Sequence, residues 1–199
     1  MMRVRILAVM FFMGALTACA TTSSGTAGQP EAAPSIDEFK HLCATELKGC
    51  RGPHTIRLLK EDGSIHEVSF DIGVPIVQGD DLVTVLPGET VYLEAEVDGD
   101  RVIRLRSVPE IVHPETTITI SLSQSDGETD MFLVAKNPFP RALKYRMGME
   151  RLDHDGLLST SSCPVVGGGG AYETWPHPIF QIVITDFRFL EEGAGFVCE

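Results

Sequence analysis

Apolar residues at every second position, broken at short intervals by glycine and proline, constrain this chain more than any other feature. Val91, Leu93, Ala95 and Val97 alternate with Tyr92, Glu94 and Glu96. That spacing puts the two sets on opposite faces of an extended strand. Extended runs of this kind read over 55–60, 65–71, 82–86, 90–97, 116–123, 129–136, 142–152 and 179–190. Turn sequences separate them: Glu61-Asp62-Gly63-Ser64, Pro87-Gly88-Glu89, Asn137-Pro138-Phe139-Pro140 and Trp175-Pro176-His177-Pro178. Proline cannot donate to a ladder, so the last two mark corners or crossovers. Gly167–Gly170 reads as a flexible loop tip. Many short strands with this punctuation predict an all-β fold, an antiparallel sandwich.

One hairpin permits a register prediction. A two-residue loop at Asp98-Gly99 would mix apolar and polar faces. A three-residue loop, Asp98-Gly99-Asp100, pairs Ala95 with Ile103, Leu93 with Leu105 and Glu94 with Arg104. Only the second keeps apolar opposite apolar and acid opposite base, so it is the expected one, with Asp100 in a left-handed conformation. A single helix precedes the strands. Ser35 and Glu38 fit a capping box, and Ile36, Phe39, Leu42, Cys43 and Leu47 share one face. Gly49 and Gly52 favour a stop near Lys48.

The N-terminus is an address. Arg3 and Arg5 precede an uncharged apolar stretch from Ile6 to Leu16, too short to span a bilayer as a mature helix. It ends in Leu16-Thr17-Ala18-Cys19, which resembles the lipobox of bacterial lipoproteins. The resemblance implies that residues 1–18 are a signal peptide and that Cys19 carries diacylglyceryl and acyl groups, enough chains for stable anchoring. Ala20 after the cysteine implies, by the same resemblance, the outer membrane with the chain facing the periplasm. Loss of 1–18 removes two arginines and no acid, moving the net charge from −12 to −14. Residues 19–35 then form a flexible Ser/Thr/Gly/Ala/Pro linker. Residues 36–73 read as a helix plus β-hairpin appendage, and 74–199 as the sandwich. Pro87-Gly88-Glu89-Thr90 before an alternating strand resembles immunoglobulin-like bacterial modules, which implies an immunoglobulin-like sandwich for 74–199.

With Cys19 assigned to lipid, Cys43, Cys50, Cys163 and Cys198 remain, and three pairings are open. The expected bridges are Cys43–Cys50 and Cys163–Cys198. Seven residues of helix would separate the first pair by about 10 Å, so the chain must turn back near Gly49. No cysteine sits in a C-x₂-C pair, which argues against zinc.

The acidic balance excludes a nucleic-acid partner, because phosphate neutralisation needs clustered cations. The glycine run lacks the Gly-Lys-Ser/Thr ending of a phosphate loop. His66-Glu67 begins like a zinc-protease motif, but Phe70 stands where the second histidine must be. Met147-Gly148-Met149 with His154 downstream offers thioether and imidazole, ligands suited to Cu(I). The competing reading is that both methionines fill the core. Asp153-His154-Asp155-Gly156 reads as an ordinary turn in preference to a calcium loop. Trp175 is either a stacking platform or a plug at one end of the sandwich. Arg104, Arg106, Lys144 and Arg146 are expected on solvated faces opposite acids. The expected function is a non-enzymatic, lipid-tethered binding or envelope-assembly module, without cofactor, contacting an envelope protein or cell-wall component. The alternatives are a periplasmic copper carrier and a hydrolase with a noncontiguous site.

Overall fold

The computed structural model describes Cys43, residues 49–71 and residues 73–199. Within them the chain forms β1 (Cys50–Arg51), β2 (His54–Leu59), β3 (Ile65–Phe70), β4 (Val74–Pro75), β5 (Val77–Gln78), β6 (Leu82–Val85) and β7 (Glu89–Asp98). There follow β8 (Arg101–Val108), β9 (Thr117–Gln124), β10 (Met131–Lys136), β11 (Leu143–Arg151), β12 (Leu157–Thr160), β13 (Gly170–Trp175) and β14 (Ile179–Phe189). Every ladder is antiparallel. The all-β, sandwich-like fold expected from the alternation is what forms. The signal segment, Cys19, the linker and the predicted helix, Cys43 apart, lie outside the described residues.

Ten strands make the main sheet, in the order β12-β11-β14-β8-β7-β9-β10-β13, with β6 also on β14 and β5 on β6. The fold turns on β14. Its Ile182–Ile184 pair with Val83–Val85 of β6, whereas Arg188 pairs with Arg101 of β8. Between these contacts sits Asp186, whose φ of 57° is the one positive value among described non-glycine residues. Here β14 skips register against β11, between Lys144 and Arg146, and it does so again between Glu150 and Arg151. Bulges bend a strand and shift which side chains face inward. The buried residues of β14 are accordingly Ile179, Ile182, Ile184, Phe187 and Phe189, which change phase at each bulge. They meet Ile118, Ile120 and Leu122 of β9 and Val91 and Leu93 of β7 in one core.

The β7–β8 hairpin corrects the register prediction. The loop has two residues, Gly99 and Asp100, flanked by the pair Asp98↔Arg101. Gly99, not Asp100, takes the left-handed conformation, with φ 61°. A bulge then absorbs Ile103, so Ala95 pairs with Leu105, Glu94 with Arg106 and Glu96 with Arg104. The slip from the expected pairing is two residues, which preserves the faces of Ala95 and Glu94. Ile103 itself is thrown outward and is 51% exposed, while Val102 is buried.

The β2–β3 hairpin joins the same core. Ile56 and Leu58 are fully buried. Gln124 stands in for a missing strand: its Oε1 accepts from Leu59 N at 2.7 Å and its Nε2 donates to Leu59 O at 3.0 Å. Such pairing satisfies an edge peptide that burial would otherwise penalise. Both expected disulfides are present. Cys43 and Cys50 lie 5.6 Å apart at Cα, and Cys163 joins Cys198 across 35 residues.

Candidate functional site

A groove opens where the ends of β9, β10 and β13 meet the loop after β8. Its volume is about 410 Å³. Ile111 and Pro114 of the loop, Thr117 and Thr119 of β9, Lys136 of β10 and Tyr172 of β13 line it. The backbone of Gly168–Gly170 closes the end. Tyr172 is 75% exposed and Ile111 47%. Large apolar side chains left this open on a folded surface mark binding sites when they cluster about a groove.

Asn137 builds the groove's base. It is buried, and its Nδ2 donates to the carbonyls of Arg141 (2.7 Å), Val165 (3.1 Å) and Val166 (3.2 Å). Its Oδ1 accepts from Phe139 N at 3.0 Å. One side chain thus fastens the turn after β10 to the turn before β13. The glycine run, expected as a loop tip, is a tight turn packed on that base. A Cβ at Gly167 would lie 2.1 Å from the Pro140 carbonyl oxygen, and Gly168 holds φ 64°. Gly170 then starts β13, opposite Lys136 of β10. Gly167→Ala should therefore cost about 1–3 kcal/mol, the usual range for forced overpacking. A lowered midpoint in urea unfolding checks it.

Beside the groove, the loop residue His113 places Nδ1 2.9 Å from Glu94 Oε1, and Arg106 donates to the same carboxylate. The His113 contact, with Arg106 behind it, holds the Glu94 carboxyl below its ordinary range. Thr117 Oγ1 donates to the His113 carbonyl at 2.6 Å, linking this pair to the groove lining. The three histidine rings with hydrogen bonds among the described residues meet a carbonyl (His54), a carboxylate (His113) and a thioether (His177).

The residues singled out from the sequence fall as follows. Trp175 is buried in the core, its Nε1 donating to Thr160 Oγ1 at 3.0 Å. It plugs the sandwich and offers no exposed platform. The exposed aromatic ring of β13 is Tyr172, three residues earlier. Its signal in the sequence was alternation alone, hidden by the glycines. Met147 and Met149 are both buried on one side of β11, but His154 sits exposed in the following turn. The ring at Met149 belongs instead to His177, with Nε2 3.4 Å from Sδ. Burial, followed by the nearby Arg151 charge, pushes the His177 pKa down. Asp153 is taken up by Arg151, with bonds of 2.8 and 2.6 Å. Among the described residues no group of three or more His, Cys, Asp or Glu side chains converges as a metal site would. Arg104, Arg106 and Arg146 lie outside with acidic partners. Lys144 does not. It is 3% exposed, and its Nζ donates to the carbonyls of Ser162 and Val197. Desolvation pushes its pKa down.

No known family model, no curated protein and no solved structure matches the chain.

Proposed function

We propose that this chain is a lipid-tethered binding module on the periplasmic face of the outer membrane, non-enzymatic, and held there through Cys19. The lipobox supports the tether, and the net charge of −12 speaks against nucleic acid as partner. The observation that carries the binding role is Tyr172, 75% exposed at the rim of a groove that a buried asparagine and close-packed glycines hold rigid. An aromatic ring fixed on a strand presents contact area at little entropic cost. The partner is an envelope protein or cell-wall component able to lay an apolar or planar group against that ring and a carbonyl or anionic group against Lys136.

Site-specific photocrosslinking in cells tests this. A photoreactive aromatic residue at position 172 should yield a reproducible adduct, and the same residue at exposed Arg57 on the distant β2–β3 hairpin should not. Tyr172→Ala should leave stability within about 0.5 kcal/mol, as for exposed positions generally. No adduct at 172, or equal adducts at both positions, would count against the groove.

A further inference from the structure

The structure assigns a soft-metal site to the opposite end of β13 from the groove: we propose that Met149 and His177 bind Cu(I), with Met147 as the adjacent thioether. The pair is already set at ligand spacing. Bond lengths of about 2.0 Å to nitrogen and 2.3 Å to sulfur, at a tetrahedral angle, place two ligand atoms about 3.5 Å apart. Met149 Sδ and His177 Nε2 are 3.4 Å apart.

Ligand type selects the ion. Thioether with neutral imidazole suits Cu(I) over hard divalent cations. The described cysteines are all in disulfides and offer no thiolate. Met147 lies two residues from Met149 within a regular stretch of β11, so both face the same side. Its cross-strand partner is Thr160, and Thr160 accepts the indole hydrogen bond of Trp175. Met131 is the Cα partner of Trp175 in the β10–β13 ladder. Met131 directly, and Met147 by way of Thr160, therefore neighbour Trp175. Arg151, the nearest like charge, is neutralised by two bonds to Asp153. His177 is half-buried at the surface, which gives the ion a way in.

Trp175 is the single tryptophan of the chain, so its fluorescence comes from one position, two residues from His177. The test titrates Cu(I), and Ag(I) as a redox-inert equivalent, into the full chain with Cys19 alkylated and the disulfides intact. Saturable quenching at one ion per chain is expected. Met149→Leu, which conserves volume and so keeps the core packed, and His177→Gln should each weaken binding by about tenfold or more. His154→Ala should leave the titration unchanged. No quenching, or the same titration in Met149→Leu and His177→Gln as in the natural chain, would overturn the proposal. Dependence on His154 would overturn it as well.

Discussion

Glu89→Ala is expected to lower stability by about 3–5 kcal/mol, the range for stripping a buried charge of its partner. The side chains of Arg51 and Glu89 are 6% and 12% exposed. Arg51 Nε and Nη2 donate to the two carboxylate oxygens at 3.0 and 2.7 Å. The remaining donors reach Pro75 O, Thr84 Oγ1 and Thr84 O, and Glu89 Oε1 also accepts from Leu86 N. The pair fastens β1 and β4 to the start of β7. Removing the carboxylate leaves the guanidinium desolvated with only neutral acceptors. Urea unfolding measures the loss. Arg51→Met with Glu89→Leu should recover part of it, because no charge is then buried. A loss under about 1 kcal/mol for Glu89→Ala would show that water reaches the pair and that the appendage is loosely attached.

The second large effect belongs to the Cys163–Cys198 bridge. Closing a loop of 35 residues constrains the unfolded chain by about 3.8 kcal/mol, against about 2.4 kcal/mol for the seven-residue Cys43–Cys50 loop. Cys163→Ser with Cys198→Ser should therefore destabilise by about 1.5 kcal/mol more than Cys43→Ser with Cys50→Ser. The long bridge also has a local job. It holds Glu199 in a two-way backbone pair with Ser162 and keeps the Val197 carbonyl over the Lys144 amine. Without it, the tail from residue 190 should exchange its amides quickly and Lys144 should become open to amine reagents. Equal losses from the two double variants would contradict the loop-length argument.

What the sequence made legible, and what it hid, follows from the physics of the β-sheet. Strands with regular alternation, such as β7, β9 and β10, stand where the period puts them. Their faces are fixed by burial on one side only. The two-residue loop at Gly99 was hidden because a bulge at Ile103 restores the apolar pairing further along. Alternation cannot distinguish a longer loop from a shorter loop plus a bulge. Residues 170–175 were unreadable as a strand for a different reason. Of the glycines leading into it, Gly167 is required by the Pro140 carbonyl, 27 residues back in the chain, and Gly168 by its left-handed backbone. Lys144 looked like a solvated strand residue, yet a bulge and the disulfide-bound tail bury it. The Met147-Gly148-Met149 pattern placed two thioethers on one side of a strand, but paired them with His154 where the ring at Met149 is His177. The histidine lay beyond a hairpin, where spacing along the chain has no power to find it. Tyr172 is exposed and Trp175 buried because β13 presents them to opposite faces.

Attachment at Cys19 is the claim on which the cellular role depends. The intact mass of the chain extracted from bacterial membranes tests it most directly. The account predicts a polypeptide of residues 19–199 bearing diacylglyceryl and N-acyl groups at Cys19, with the thioether-linked glyceride lost in Cys19→Ala. A water-soluble chain without acyl mass, or one that retains residues 1–18, would contradict it.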